Sequence, residues 1–322
     1  MKLFYGPLHV YDFRGPWEHH LASLGEWRLA LLVAETPDIN GLSWRLPGKR
    51  TGRDQSPLMV AVKAQRPVGR GADGRLEWEY ALGDGELAHM VRAAVAMGAN
   101  VNRRMRRAWP LMSYCTKRGC VEAVKACLAA GAEVDARGGD EGWQTAVAHA
   151  GYEGHEELLE VLLEAGASAS VGWKGEDETL AAVCWGSPTP GIVRRLVEAG
   201  ADVKSRDMDG TAFMRAAFRG NLGVMKVFKE LGVDVAAKDG EGMTAMQWTS
   251  SGEVVRWLAT RGVSVQGDED GDSPLHHACC SAAVNAVRAM IELGADVNAR
   301  GKFGRTPLHS AAGIYNQEQL AA

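Results

Sequence analysis

Seven glycines at nearly constant spacing close apolar stretches along this chain: Gly98, Gly131, Gly166, Gly200, Gly232, Gly262 and Gly294, each opening a Gly-Ala/Val-x-Val motif or a close variant. The intervals are 33, 35, 34, 32, 30 and 32 residues, so one unit is copied end to end. A period of this length constrains the fold more than any local propensity, because it marks a stack of small supersecondary units.

A second marker keeps step with the first, an apolar residue behind a small or Pro-containing turn: Leu58, Leu111, Val147, Leu180, Phe213, Met246, Leu275 and Leu308. In most units it precedes the glycine by 19 or 20 residues, room for two short helices and a turn. The best-preserved units read Ser273-Pro274-Leu275-His276, followed by Leu293-Gly294-Ala295-Asp296-Val297-Asn298, and Thr306-Pro307-Leu308-His309. Proline suits the first turn of a helix, where its missing N–H is no loss. Ser or Thr before it is a natural N-cap, and the glycine supplies the left-handed backbone that ends the second helix. Second helices carry apolar stripes, as in Leu158, Leu159, Leu162 and Leu163, or Ile192, Val193, Leu196 and Val197. One hairpin cannot bury such a stripe; its neighbours must cover it.

With both T-P-L-H-x-A and G-A-D-V-N motifs present, the chain resembles the ankyrin-repeat family over roughly residues 51 to 322. The resemblance implies an all-α ankyrin-repeat solenoid, stacked helix-turn-helix units with β-hairpin fingers, about eight of them behind a degenerate cap. Some units depart from the pattern. Trp109 stands where Thr is usual, Thr145-Ala146-Val147-Ala148 and Thr211-Ala212-Phe213-Met214 lack Pro and His, and Glu178-Thr179-Leu180-Ala181 lacks both.

A net charge of −4 over 322 residues is too small to draw in nucleic acid or a membrane through long-range field. The six cysteines show neither zinc-site pairing nor disulfide-scaffold density. That pattern fits a cytoplasmic or other reducing intracellular compartment. Gly6 and Pro7 interrupt the first residues before a signal-peptide core can form. The apolar run Leu29 to Ala34 is far below the ~20 residues of a membrane helix. Neither a signal peptide nor a transmembrane segment is expected.

Residues 1–50 read as an N-terminal arm and a degenerate capping repeat, and 51–322 as the repeat array. The unit opening at Ser56-Pro57-Leu58 reaches Gly98 only 40 residues later, so an insert at about 63–83, rich in Gly and Arg and carrying Trp78 and Tyr80, lies between its helices. It reads either as a functional loop or as a solvated one. The unit of Met246 is short, and the last unit is truncated after its first helix.

Catalytic and metal motifs fail on context. Gly69-Arg70-Gly71-Ala72-Asp73-Gly74 matches a dinucleotide-binding pattern but lacks the strand-then-helix setting. Asp268 to Asp272 resembles a calcium loop, yet Cys279 stands where the bidentate Glu belongs. His276, His277, Cys279 and Cys280 could offer zinc ligands from one helical turn, but His276 is the family's structural histidine. His155-Glu156-Glu157 has no second His four residues on. No catalytic residue, metal, cofactor or small-molecule substrate is therefore assigned, and the chain is not read as an enzyme.

Binding residues are sought where first helices end, which the resemblance places on a concave face. Five residues beyond the marker stand Tyr152, Trp185 and Phe218, an aromatic ladder of the kind that anchors interfaces. The alternative is that these rings fill space between helices. They are expected to be removable at little cost to stability. Lys117, Glu153 and Arg219 would form a charged rim. Trp143, Trp173 and Phe303, at finger tips, would be exposed and sticky unless each packs on its neighbouring finger. Arg103, Arg104, Arg106 and Arg107 form a dense basic run suited to carboxylates or phosphates, or simply a solvated tip. The resulting expectation is a non-catalytic scaffold or adaptor binding one or several protein partners, without nucleic acid or membrane insertion. Its rival is a constitutive accessory subunit of a large assembly.

Overall fold

The protein is described here from a computed structural model, over residues 65–70, 76–80, 83–96, 99–102, 109–138, 145–170, 179–206, 210–266, 272–301 and 304–313. The arm and cap expected at 1–50 lie outside the described residues. The chain divides into two compact units, Met1–Ala150 with Glu157–Ala167, and Gly151–Glu156 with Ser168–Ala322. Helix dominates both.

In the first unit, β1 (Gln65–Arg70) and β2 (Leu76–Tyr80) precede α1 (Asp84–Ala96), α2 (Leu111–Lys117) and α3 (Val121–Ala129). Helix α4 (Ala146–Glu153) begins in this unit, and most of α5 (Glu156–Glu164) belongs to it. The inserted segment is thus an antiparallel strand pair rather than a loop, with a register shift between Pro67 and Gly69. The strand signal was present in Leu76-Glu77-Trp78-Glu79-Tyr80, where apolar and polar residues alternate. The glycine-rich match begins at Gly69 in β1, and among the described residues the next element is the strand β2, whereas a pyrophosphate needs a helix N-terminus.

Helix α1 packs on α3, and α2 on α3. Cys120 at the N-cap of α3 offers no side-chain hydrogen bond. Asp84, the first residue of α1, substitutes for it: its carboxylate oxygens accept the N–H groups of Glu122 and Ala123, both at 2.9 Å. An anion at a helix N-terminus also meets the favourable end of the macrodipole.

The second unit continues with α6 (Thr179–Cys184), α7 (Pro190–Glu198), α8 (Ala212–Phe218), α9 (Leu222–Glu230), α10 (Ala245–Trp248), α11 (Gly252–Ala259), α12 (Pro274–Cys280), α13 (Val284–Glu292) and α14 (Pro307–Gly313). First helices touch in succession, α6 to α8 to α10 to α12 to α14, while second helices pair as α7 with α9 and α11 with α13. The period-marking glycines among the described residues, from Gly131 (φ 78°) to Gly294 (φ 85°), all adopt left-handed backbone. The predicted stripes face inward: Leu158, Leu159, Leu162, Ile192, Val193 and Leu196 are buried. Phe213 meets Phe228 and Trp257 at 6.3 and 6.5 Å between ring centres. Each such ring withdrawn from water contributes about 1.5–3 kcal/mol.

The histidine of the best-preserved motif ties one repeat to the next. Ser273 N–H donates to His276 Nδ1 at 3.1 Å, and His276 Nε2 lies 3.0 Å from the Arg305 carbonyl. The fingers are tied in the same periodic way. Asn102 Nδ2 donates to the Gly131 carbonyl and its Oδ1 accepts from Glu133 N–H, both at 2.8 Å. Gln266, at the matching position of a later unit, makes the equivalent bonds to Gly294 and Asp296. Exposed ion pairs Arg194–Glu230 and Arg256–Glu292 also span 36 residues, but such pairs contribute under about 1 kcal/mol.

Second helices approach one another tightly at Gly252, where a Cβ would stand 2.6 Å from the Asn285 carbonyl oxygen. Gly252→Ala is therefore expected to lower the unfolding free energy by about 1–3 kcal/mol, as overpacking does. Gly240→Ala, which meets nothing within 4 Å, should leave the urea midpoint nearly unchanged. Equal midpoints for the two variants would contradict this packing.

Candidate functional site

In the second unit the turn after α6 lies against the end of α4. Ser187 N–H donates to the Tyr152 carbonyl at 2.9 Å, and a Cβ on Gly186 would stand 2.0 Å from that oxygen. This contact needs glycine at 186 and sets Trp185 at the lip of its repeat. Helix α8 starts at Thr211, whose hydroxyl accepts the Met214 N–H at 3.3 Å. It ends with Phe218 and Arg219; Arg219 Nε donates to the Gly186 carbonyl at 3.3 Å. Trp248 closes α10, its indole N–H held by Asp239 Oδ2 at 3.0 Å.

These tethers bring three rings into one row. Trp185 meets Phe218 at 5.6 Å and 68°, and Phe218 meets Trp248 at 6.4 Å and 81°, both edge to face. Beneath the row lies Arg215, only 1% exposed, with its guanidinium carbon 4.0 Å from the Trp185 ring centre and 4.9 Å from that of Trp248. A guanidinium stacks on aromatic faces with a planarity and weak hydration that lysine lacks.

Of the expected ladder, Tyr152 and Phe218 are 40% and 45% exposed, and Glu153 and Arg219 beside them are exposed. Trp185 is half-buried and stacked on Arg215. Its removal therefore carries a stability cost, contrary to the expectation that all three rings are dispensable. Arg215 and Trp248 were missed because the count took only the fifth residue beyond the marker. Both stand two residues beyond it, after Phe213 and Met246; from that position Arg215 lies under the row and Trp248 joins it.

Lys117 belongs to a separate cluster in the first unit. Its ammonium lies 4.9 Å from the Trp109 ring centre, and Trp109 in turn meets Tyr114 at 5.2 Å and His149 at 4.4 Å. His149 is 8% exposed and its Nε2 has no hydrogen-bond partner among the described residues. Burial first, and Lys117 second, lower its pKa from 6.5 to about 4. Trp143, Trp173, Phe303, Arg103, Arg104, Arg106 and Arg107 lie outside the described residues, as do the calcium-loop residues 267–271.

Both ring nitrogens of His276 are engaged structurally, which removes it from any metal set. Among the described residues no group of three or more His, Cys, Asp or Glu side chains could hold a metal ion. A hydrogen bond with the Cys127 thiol and burial raise the Cys115 pKa, and burial raises those of Cys120, Cys184 and Cys279. An activated thiol nucleophile requires the opposite direction.

A family model described as ankyrin repeats, in three copies, matches residues 249–320. The chain is an ankyrin-repeat protein. It is 31% identical over 136 residues to human SH3 and multiple ankyrin repeat domains protein 2, covering 40% of this chain and 7% of that one. With the mouse B-cell lymphoma 3 protein homolog it shares 33% over 134 residues, 38% of this chain and 30% of the relative. The chain thus spans less than a third of the length of either relative. The solved ankyrin repeat domain of Bcl-3, a member of the IkappaB protein family, aligns with a TM-score of 0.46 at 24% identity, over 62% of this chain and 92% of the domain. The ankyrin-repeat fold is in general a non-catalytic interaction module. No described helix is long and apolar enough to cross a membrane.

Two variants test the site geometry. Arg215→Ala should lose about 3 kcal/mol of stability by opening a cavity and removing two cation–ring contacts, and Arg215→Lys should recover only part of it, read as guanidinium chloride midpoints; full recovery by lysine would remove the stacking argument. His149 binds a proton more weakly when folded, so its contribution is intact above pH 6.5 and is lost as pH falls toward about 4, up to about 3 kcal/mol in all. His149→Leu should flatten that part of the stability–pH curve; an unchanged curve would assign the acid sensitivity elsewhere.

Proposed function

We propose that this ankyrin-repeat chain is a non-catalytic protein-binding scaffold, and that the aromatic row of the second unit is its principal contact. The observation that carries this reading is the exposure of Tyr152 and Phe218 on a rigid support, where Trp185 and Trp248 are already locked by Arg215 and Asp239. Large rings held in place bury much area on binding and lose little rotamer freedom. Glu153 and Arg219 form a polar rim beside them. Lys117, the Arg103–Arg107 run and the finger residues Trp143, Trp173 and Phe303 are proposed as secondary contacts that orient the partner. The six free cysteines support a reducing intracellular compartment. Residues 1–50 are proposed as a capping arm and 51–322 as the repeat array.

A second reading, a permanent accessory subunit of an assembly, is favoured by exposed apolar side chains at the far end of the second unit. Val284, Ile291, Leu293, Val297 and Leu308 are 65, 47, 41, 48 and 77% exposed. A permanent subunit never runs free when native extracts are sized, whereas an adaptor has a free pool.

Tyr152→Ala with Phe218→Ala should leave the thermal midpoint within a few degrees and weaken partner binding by at least about 2 kcal/mol, as truncation of anchor residues does. Affinity capture with the wild-type and doubly substituted chains, followed by quantitative mass spectrometry, reads the difference. Identical partner sets at equal yield would refute the row as the contact.

A further inference from the structure

The row already contains a cation. Arg215 fills the space under Trp185 and Trp248, the position an incoming ammonium or guanidinium would take against the ring faces. A ligand cation would have to displace a buried side chain and would meet like charge. The rings' outer surfaces therefore remain for apolar groups, received at the 5.6 and 6.4 Å spacing of the ring centres. Arg219 is exposed at the end of α8, and its Nε is bound to the Gly186 carbonyl. That bond uses one of five guanidinium donors and anchors the group beside the row. The terminal nitrogens suit the two oxygens of a carboxylate.

Resting on the proposed binding role of this row, we infer that its ligand is an acidic-apolar peptide segment of the partner: apolar side chains lie on Phe218 and its flanking tryptophans, and an adjacent Asp or Glu pairs with Arg219. Basic peptides are excluded by the same two arginines. Tyr152 extends the apolar surface, and Glu153 beside it limits acidic residues to the Arg219 end. Specificity then comes from the sign of one charge next to an apolar anchor.

The test uses the full chain, immobilised, and a phage-displayed library of random peptides about a dozen residues long. Wild-type protein should enrich sequences with Asp or Glu within a few positions of bulky apolar residues. Representative peptides, synthesised with a fluorophore, should bind at least about tenfold more weakly to Phe218→Ala, as loss of an anchor ring implies. Against Arg219→Glu the enrichment should change from acidic to basic residues, and Arg219→Gln, which can still donate to Gly186, should lose the acidic preference while keeping the apolar one. Circular dichroism confirms that each variant is folded. Peptides that depend on Phe218 but keep the same charge preference in Arg219→Glu would overturn the inference and leave the binding row standing. Peptides indifferent to both residues, or no enrichment at all, would overturn both.

Discussion

A two-helix hairpin of about thirty residues exposes more apolar surface than it can bury on itself. The rest of the structure depends on neighbouring hairpins covering one another. Within the second unit this appears as an unbroken succession of first-helix contacts from α6 to α14, with Phe213, Phe228 and Trp257 packed between repeats. Hydrogen bonds from His276 to the next repeat, and from Asn102 and Gln266 along the fingers, tie each repeat to its neighbour. They fix the register in which burial occurs.

Because stability comes from neighbour contacts, the first-helix ends are free to carry residues chosen for other reasons. The second unit uses that freedom to place a buried guanidinium between two indoles with a phenyl edge across them. Burying a charge is expensive unless it is well partnered, and the two aromatic faces supply part of that partnership. The outcome is a surface that is apolar at its crest and positive beneath. The first unit uses the position of Arg215 differently: His149, two residues beyond the marker Val147, is buried against Trp109, and burial lowers its pKa.

The hairpin period, the glycine stops, the capped helix starts and the buried stripes at Leu158 and Ile192 were all readable in the chain, since each follows from short-range backbone geometry repeated at a fixed interval. Missing Pro and His residues did not prevent α4, α6 or α8 from forming: Thr145 and Thr211 still cap α4 and α8, and neighbouring repeats supply the packing. The strand pair at Gln65–Arg70 and Leu76–Tyr80 was overlooked: glycine and arginine content suggested a loop, and the alternation in the second strand carried the better signal. Trp185 was legible as a member of the row but not as a supporting element of it.

The sequence by itself determined the repeating hairpin, its approximate boundaries and its core faces, because periodic local signals dictate helix starts, stops and apolar sides. Only the tertiary structure decided which aromatic rings remain exposed and what lies beneath them. Trp185, the pair Arg215 and Phe218, and Trp248 come from three successive repeats and carry no shared motif. Their meeting depends on how far each first helix extends before it turns, and the four-residue α10 brings Trp248 to Phe218 in a way that residue counting from the marker does not reveal.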